Sequence, residues 1–367
     1  MTGMPPPMIR NRFVMAGTEA PRPVPAGELW LDVGNAAAEG VYDHHQGGAS
    51  STTAVVMARA AEIVARAAGC AELTLTTHAA PDLDAVTAAW LVSGLAGARP
   101  LPTDAALRRI VEAVAEHDQG HEDGGPLDQN PGMAFNLLLL DAADDTGRMA
   151  RGMGLLDRIA RRMAEGRELG QAVAAEGLGP RIAAEAAAYA ADRAEAECFP
   201  VLLPTRTGGV RPCRVLAFVN PHCALLKHFA RRGHDGALLV SWHLGGSPPE
   251  WRHIVSVEPG SGLTLERLGD ALERAERAVE AAATAPLRPG RRPVAPGRGR
   301  FGGDLPSPWY DGRGHGHSIV DSPSIPDPAR PRCASLLSPA IVRETMSRIY
   351  PRTPPRTPPR TPETTAR

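Results

Sequence analysis

The sequence predicts an α/β protein: an open, mostly parallel sheet with flanking helices, plus a second, smaller α/β domain. Three observations lead there. Short apolar runs alternate with stretches of helical spacing from residue 28 to about residue 120. A second alternation of runs and helices recurs between residues 199 and 285. The 367 residues exceed one average domain, and a hydrophobic fraction of 43% is enough to fill a core.

Residues 1–27 are Pro-rich and polar, and read as a flexible arm. The domain expected over 28–146 opens with ELWLDVG, Glu28 to Gly34, an apolar run ending in Asp and Gly that reads as a strand. Val41 to His45 reads as a second strand or strand end. Ser50 to Gly69 starts on Ser/Thr, keeps helical spacing and closes on Gly, which predicts a helix. LTLTT, Leu73 to Thr77, is a strand. Pro81 precedes a helical run through Leu95, and Thr103 to His117 is a helix with Leu107, Ile110, Val111 and Val114 on one face. Residues 147–198 are nearly all helix-forming, with a break near Gly177 to Pro180. In the second domain, 199–285, Arg214–Asn220, Ala237–Trp242 and His253–Glu258 read as strands, with helices over Ala224–Arg232 and Leu263–Ala283. Residues 286–300 form a basic Pro/Gly linker with five Arg and no acid, and 301–345 a Gly/His loop region. The tail, 346–367, repeats a Pro-Pro-Arg-Thr unit, which predicts a disordered, polyproline-like segment.

A formal net charge of −1 gives no global pull toward nucleic acid or an anionic membrane. No apolar run approaches the roughly 20 residues of a membrane span; the longest, Phe135 to Leu140, contains Asn136. The opening MTGMPPPMIRNRF has no apolar stretch of the kind a secretory signal carries. Five cysteines, odd in number and far apart, argue against a disulfide framework or a paired-cysteine zinc site, so a cytoplasmic setting is expected. Aromatic residues make up only 4%, too few for a long single-strand stacking platform. Lys227 is the only lysine; Arg is inflated together with Ala, Gly and Pro, which reads as compositional bias.

Two segments concentrate acids and histidines. One is Asp32-Val33-Gly34 followed by Tyr42-Asp43-His44-His45-Gln46; the other is His78-Ala79-Ala80-Pro81-Asp82-Leu83-Asp84. In the second, a strand ends at His78 while Asp82 and Asp84 sit in the turn that opens the next helix. Strand C-terminal ends are where open α/β sheets place ligands. Carboxylates and an imidazole crowded there repel one another unless a cation compensates. Carboxylate and imidazole donors suit Mn²⁺ or a similar divalent ion. Asp32, at another strand end, could serve two such ions, and metals about 3.5–4 Å apart recur in phosphoryl hydrolysis. Each segment also has a simpler reading: Asp near a helix start is favourable by itself, and adjacent histidines are often surface residues. Asp118 is a further ligand candidate, in competition with Asp123, Asp141 and Asp144, whereas His117 and His121 read as solvated helix-end residues.

The Asp43-His44-His45 triplet, the upstream Asp32 and the His78-x3-Asp82-x-Asp84 segment resemble the DHH phosphoesterase superfamily. That superfamily includes RecJ-type exonucleases, oligoribonucleases, cyclic-dinucleotide phosphodiesterases, exopolyphosphatases and manganese pyrophosphatases. The Asp32 to Gln46 stretch looks especially like the corresponding segment of a eukaryotic RNA-exonuclease branch. The resemblance covers residues 28 to 120, and more loosely the second domain. In the family the HxxxDxD segment precedes the DHH segment; here the order is permuted.

The resemblance implies two divalent metal ions, Mn²⁺ first and Mg²⁺ as the alternative. His78, Asp82 and Asp32 would hold one, and Asp84, His44, Asp118 and the shared Asp32 the other. It further implies that Asp43 orients a histidine, that His45 points at the substrate phosphate and that a water between the ions attacks. The family's Gly-rich substrate loop has no direct counterpart. Its nearest candidate is Gly302-Gly303 with Trp309 to Ser318, where Arg313, His315 and His317 would grip phosphate and Trp309 or Tyr310 would stack a base. The expected activity is hydrolysis of a phosphodiester in a short oligoribonucleotide or dinucleotide. Pyrophosphate or polyphosphate hydrolysis is the in-class alternative, and a non-catalytic metal- or nucleotide-binding module is the alternative outside it. No membrane partner is expected, an oligomer is not readable, and the Pro/Arg tail could recruit a protein as a polyproline ligand does.

Overall fold

Alternating and β-branched runs do become strands, and the order in which they pair is what builds the site. The computed structural model describes residues 5–14, 18–34, 36, 38–46, 49–120, 125–258, 260–282, 309–311, 319–322 and 334–352. The first sheet contains β1 (Met8–Val14), β2 (Glu28–Leu31), β3 (Val41–Tyr42) and β4 (Glu72–His78). Their order is β1-β4-β2-β3, and every pairing is parallel. The C-terminal ends of β4, β2 and β3 therefore lie side by side along one edge.

The expectation of a loose arm over residues 1–27 is corrected for residues 8–14. Met8 to Val14 adds a full strand beside β4, with Met8 opposite Glu72 and Val14 opposite His78. Ile9 and Phe13 face the core. Arg12 on the other face pairs with Glu28, donates to Thr76 Oγ1 (3.0 Å) and lies 5.3 Å over the Trp30 ring. Polar residues at the alternating positions, directly after three prolines, hid the period of 2.

Helices cover one face of this sheet. The stretch from Ser50 to Gly69 splits at Arg59 into α1 (Thr52–Ala58) and α2 (Ala60–Ala67), with Ser51 capping α1 by accepting from the Ala54 N–H (3.1 Å). Next come α3 (Leu83–Leu95), α4 (Asp104–Asp118), α5 (Pro131–Leu140), α6 (Asp145–Ala164), α7 (Leu169–Ala174) and α8 (Gly179–Glu195). Leu29, Leu31, Leu73 and Leu75 meet α3 and its neighbours in one continuous core. Apart from its final turn α3 is apolar nearly all round, and it is buried, as a central helix must be. On the opposite face Trp30 and Val41 are covered by Ala20 and Val24 of the segment before β2.

The second sheet has the order β5-β6-β7-β8-β10-β9. Its strands are β5 (Glu197–Pro204), β6 (Val210–Val219), β7 (Ala237–Gly245), β8 (Glu250–Val257), β9 (Tyr310–Asp311) and β10 (Ile319–Ser322), and only the β6–β7 pair is parallel. The short α9 (Leu226–Arg231) follows β6, and α10 (Leu268–Ala282) and α11 (Pro339–Ile349) pack on the other face. Two boundaries need correction. Within the expected loop of 301–345, residues 310–311 and 319–322 join the sheet. The helix α11 then runs across the expected boundary at 345/346. Strands of two and four residues are too short for periodicity to show. The start of α11 was legible, with Ser338 accepting from the Ile341 N–H and Pro339 in the first turn, but the Pro/Arg composition that follows obscured it.

The two halves meet through Met133 and Leu137 of α5 and Ile182 of α8, which pack on Leu216, Phe218, Leu238 and Val240. Among the described residues Cys70, Cys198, Cys213 and Cys223 are free thiols, and no helix is long and apolar enough to cross a membrane.

Candidate metal centre

The Asp32, Asp43-His44-His45 and His78-to-Asp84 segments converge because β2, β3 and β4 are neighbours. Asp32 follows β2 in a left-handed conformation (φ 59°), which Asp tolerates better than most residues. His78 closes β4, and Asp43, His44 and His45 follow β3. The two oxygens of Asp32 face different partners: Oδ2 lies 3.2 Å from His78 Nε2, and Oδ1 lies 3.4 Å from His44 Nε2. His78 Nε2 is 3.8 Å from Asp82 Oδ2. His44 Nε2 is 3.5 Å from Asp118 Oδ2 and 4.0 Å from Asp84 Oδ2. Two donor sets result, Asp32/His78/Asp82 and His44/Asp84/Asp118, each with its donor atoms within 4.8 Å of one another. Donors about 2.1 Å from a common ion lie about 3–3.5 Å apart, a spacing that the Asp32–His78, Asp32–His44 and His44–Asp118 pairs match. A third grouping, Asp32/His44/His45, meets the same criterion. However, His45 Nδ1 is committed to Asp43 Oδ1 at 2.7 Å.

Local chemistry holds each acid in place. Asp82 caps α3 by accepting from the Ala85 N–H through Oδ1 (3.0 Å), which leaves Oδ2 toward His78. The helix-start and ligand readings of Asp82 are therefore compatible. Asp84 is clamped by the start of α1: the Thr52 N–H donates to Oδ2 (2.6 Å), and the Thr53 N–H and hydroxyl donate to Oδ1 (2.8 and 2.6 Å). The Thr52 hydroxyl donates to Asp32 Oδ1 (3.0 Å). Asp118, the last residue of α4, is the acid that reaches His44. Its described competitors are engaged elsewhere, Asp141 with Arg181 (2.8 Å) and Asp144 as the cap of α6 (2.7 Å to Gly147 N). His121 and Asp123 lie outside the described residues.

Electrostatics shows what this crowding costs. Burial, followed by the neighbouring carboxylates, raises the pKa of both Asp84 and Asp118 far above the ordinary carboxylate range. Burial also opposes the charge on Asp32, but the His78 hydrogen bond and the charges of His78, His45 and His44 outweigh it, and its pKa falls. For His78, burial is overcome by its bond to Asp32 and the Asp82 and Asp32 charges, which lift it to about 10. His45 is likewise lifted to about 9 against burial, first by Asp43. Burial holds His44 below its usual value despite Asp32, keeping it in the neutral form that binds metal. A cation at the two donor sets would relieve the carboxylate repulsion, and the donor set fits one.

His117 is corrected from solvated to packed. Its ring sits against Gly132, where an added Cβ would lie 2.1 Å from His117 Nδ1, and stacks 5.2 Å from the His228 ring of α9. Burial, then the nearby charges of His228 and Lys227, lowers it to about 3. Base stacking by Trp309 is also overturned. Trp309 is fully buried in the second core, stacked on His253 (5.7 Å) and donating to Glu276 Oε2 (3.2 Å). Arg313, His315, His317 and Gly302-Gly303 lie outside the described residues.

A cleft of about 510 Å³ opens beside the acids, lined by His45, Asp82, Asp84 and Asp118 from the first half of the chain and by Leu225, Lys227 and His228 from the second. Asn136, Leu140 and Arg148 complete it. Sequence reasoning missed Asn136, Arg148 and Lys227 as cleft residues. They come from α5, α6 and α9, and no local motif marks them. Comparisons with family models, with curated proteins and with solved structures find no match to this chain.

Proposed function

We propose that this chain is a metal-dependent phosphohydrolase of DHH type that cleaves a phosphodiester of a short oligoribonucleotide or dinucleotide. The observation that carries the reading is the convergence of Asp32/His78/Asp82 and His44/Asp84/Asp118 at three neighbouring strand ends, with one oxygen of Asp32 toward each set. Those six residues would hold two divalent ions, Mn²⁺ or Mg²⁺. When bound, such ions acidify water and offset the negative charge that builds on phosphoryl oxygens. The chain's own groups do the rest. Asp43 fixes His45 through Nδ1, so Nε2 is the atom that can hold a proton toward a phosphate oxygen or a leaving group in the cleft. Thr52 and Thr53 keep Asp32 and Asp84 oriented. Among the described residues, the free thiols of Cys70, Cys198, Cys213 and Cys223 are consistent with a reducing compartment such as the cytoplasm.

A second reading, pyrophosphate or polyphosphate hydrolysis, is favoured by one feature. No described Phe, Tyr or Trp lines the cleft, and Trp309 is sealed in the other core. Manganese-dependent hydrolysis should be measured on a linear dinucleotide, a short oligoribonucleotide, a cyclic dinucleotide, pyrophosphate and polyphosphate, with Asp82→Asn alongside. Asn retains the α3 cap but loses the charge. Activity on one of these that Asp82→Asn abolishes supports the enzyme and selects the substrate. Silence on all five with Mn²⁺ bound points instead to a non-catalytic binding module.

A further inference from the structure

The acid wall of the cleft cannot by itself hold an anionic substrate, and the cations that face it come from elements far apart in the chain. Arg148 lies on α6. The start of that helix is tied to the loop before Asp82, because Asp145 Oδ1 accepts the Ala80 N–H (2.9 Å). Three residues on from Asp145, Arg148 falls on the same face one turn later, and it lines the cleft. Its guanidinium is part-buried and makes no hydrogen bond or ion pair with any described residue, although acids line the same cleft. Four other partly buried or rim arginines of the same half are committed: Arg99 to Asp157 (3.0 Å), Arg158 and Arg162 to Glu176, Arg181 to Asp141. Lys227 reaches the same cleft from α9, in the second half of the chain. Its helix α9 is held against the first domain by the His228–His117 stack and by the Asn136 amide at 2.9 Å from His228 Nε2.

We propose that Arg148 and Lys227 form a seat for a second, non-reacting phosphoryl group, so that the preferred substrate carries at least two phosphoryl groups. The inference rests on the phosphohydrolase reading for the position of the first phosphate, but not for the seat itself. An uncommitted guanidinium binds phosphate through a planar fork, and a single ammonium in the same cleft adds a point charge. Pyrophosphate, polyphosphate and a 5′-phosphorylated dinucleotide meet this requirement; an unphosphorylated dinucleotide does not.

The probes are imidodiphosphate, two phosphoryl groups on a bridging nitrogen, and orthophosphate. Each is titrated calorimetrically into the full chain in Mn²⁺ and in Mg²⁺, and Mn²⁺ occupancy is followed separately by electron paramagnetic resonance. Wild type should bind imidodiphosphate at least tenfold more tightly than orthophosphate. Arg148→Ala and Lys227→Ala should each lose about tenfold on imidodiphosphate and little on orthophosphate, with Mn²⁺ occupancy unchanged. Arg148→Lys should recover part of the loss. Equal affinity of wild type for both probes, or variants that bind imidodiphosphate as wild type does, would overturn the seat while leaving the metal centre standing if Mn²⁺ still binds. If imidodiphosphate binding depends on Arg148 but Mn²⁺ does not bind, the seat stands and the two-metal reading falls. A variant whose melting temperature drops is judged by its Lys or Gln counterpart.

Discussion

Thr53→Val isolates the contribution of the α1 clamp to the metal centre. Thr53 is fully buried and Val has nearly its shape, so the change removes one hydroxyl and leaves no cavity. That hydroxyl donates to Asp84 Oδ1 at 2.6 Å, and a hydrogen bond to a charged partner contributes about 1.5–3 kcal/mol. The backbone N–H groups of Thr52 and Thr53 still hold Asp84 (2.6 and 2.8 Å), so the lower end of that range applies. At about 1.4 kcal/mol per tenfold, Mn²⁺ should bind about tenfold more weakly. Ionised Asp84 is also less supported, so the pH needed for half-maximal Mn²⁺ binding should move upward. Thr53→Ser restores the hydroxyl and should bring affinity back to within about threefold of wild type. The assay is a Mn²⁺ titration followed by electron paramagnetic resonance, with a melting curve in chelator to confirm folding. A folded Thr53→Val with wild-type Mn²⁺ affinity would refute the reasoning, as would an equal loss in Thr53→Ser.

Three further outcomes are expected. In chelator, stability should fall as pH rises from about 6.5 toward 10. The folded chain holds protons on Asp84, Asp118 and His78 that the unfolded chain has released in that window, at about 1.4 kcal/mol per pH unit for each proton. Melting curves that are flat or rise across this window would contradict it, and Mn²⁺ should reverse the trend because it replaces those protons. Asp32→Asn should weaken Mn²⁺ binding and remove more activity than His45→Ala, which should lower turnover by about 10²-fold with Mn²⁺ affinity kept. Equal, mild losses would exclude Asp32 as the shared ligand. Gly152→Ala should cost about 1–3 kcal/mol by overpacking. Its Cβ would lie 2.6 Å from the Phe135 ring and 2.7 Å from Val86, so an unchanged melting temperature would contradict the packing between α5 and α6.

The helix and strand alternation, the apolar face of α4 and every acid and histidine of the candidate metal centre are readable from residue order, because helical spacing, caps and strand-end motifs are local properties. Asp82 and Asp118 could be named in advance; that Asp141 and Asp144 were engaged by Arg181 and by the start of α6 could not. Strand neighbours are the next limit. Asp43-His44-His45 and His78-to-Asp84 lie more than thirty residues apart in the sequence, and only the parallel pairing of β4, β2 and β3 brings their ends together. Residues 8–14 and 319–322 pair with strands far away along the chain, and isolated short runs carry too little signal to reveal that. His117 and Trp309 were misplaced for the same reason: each stacks on a partner, His228 or His253, that lies more than fifty residues away. Arg148 and Lys227 complete the contrast. Nothing around either residue in the chain marks it, and they share one cleft only because α6 and α9 fold against it. Sequence alone determines which side chains are available for chemistry, since that is a matter of composition and short-range order. Tertiary structure decides which of them meet, since distance in space is set by long-range pairing and packing.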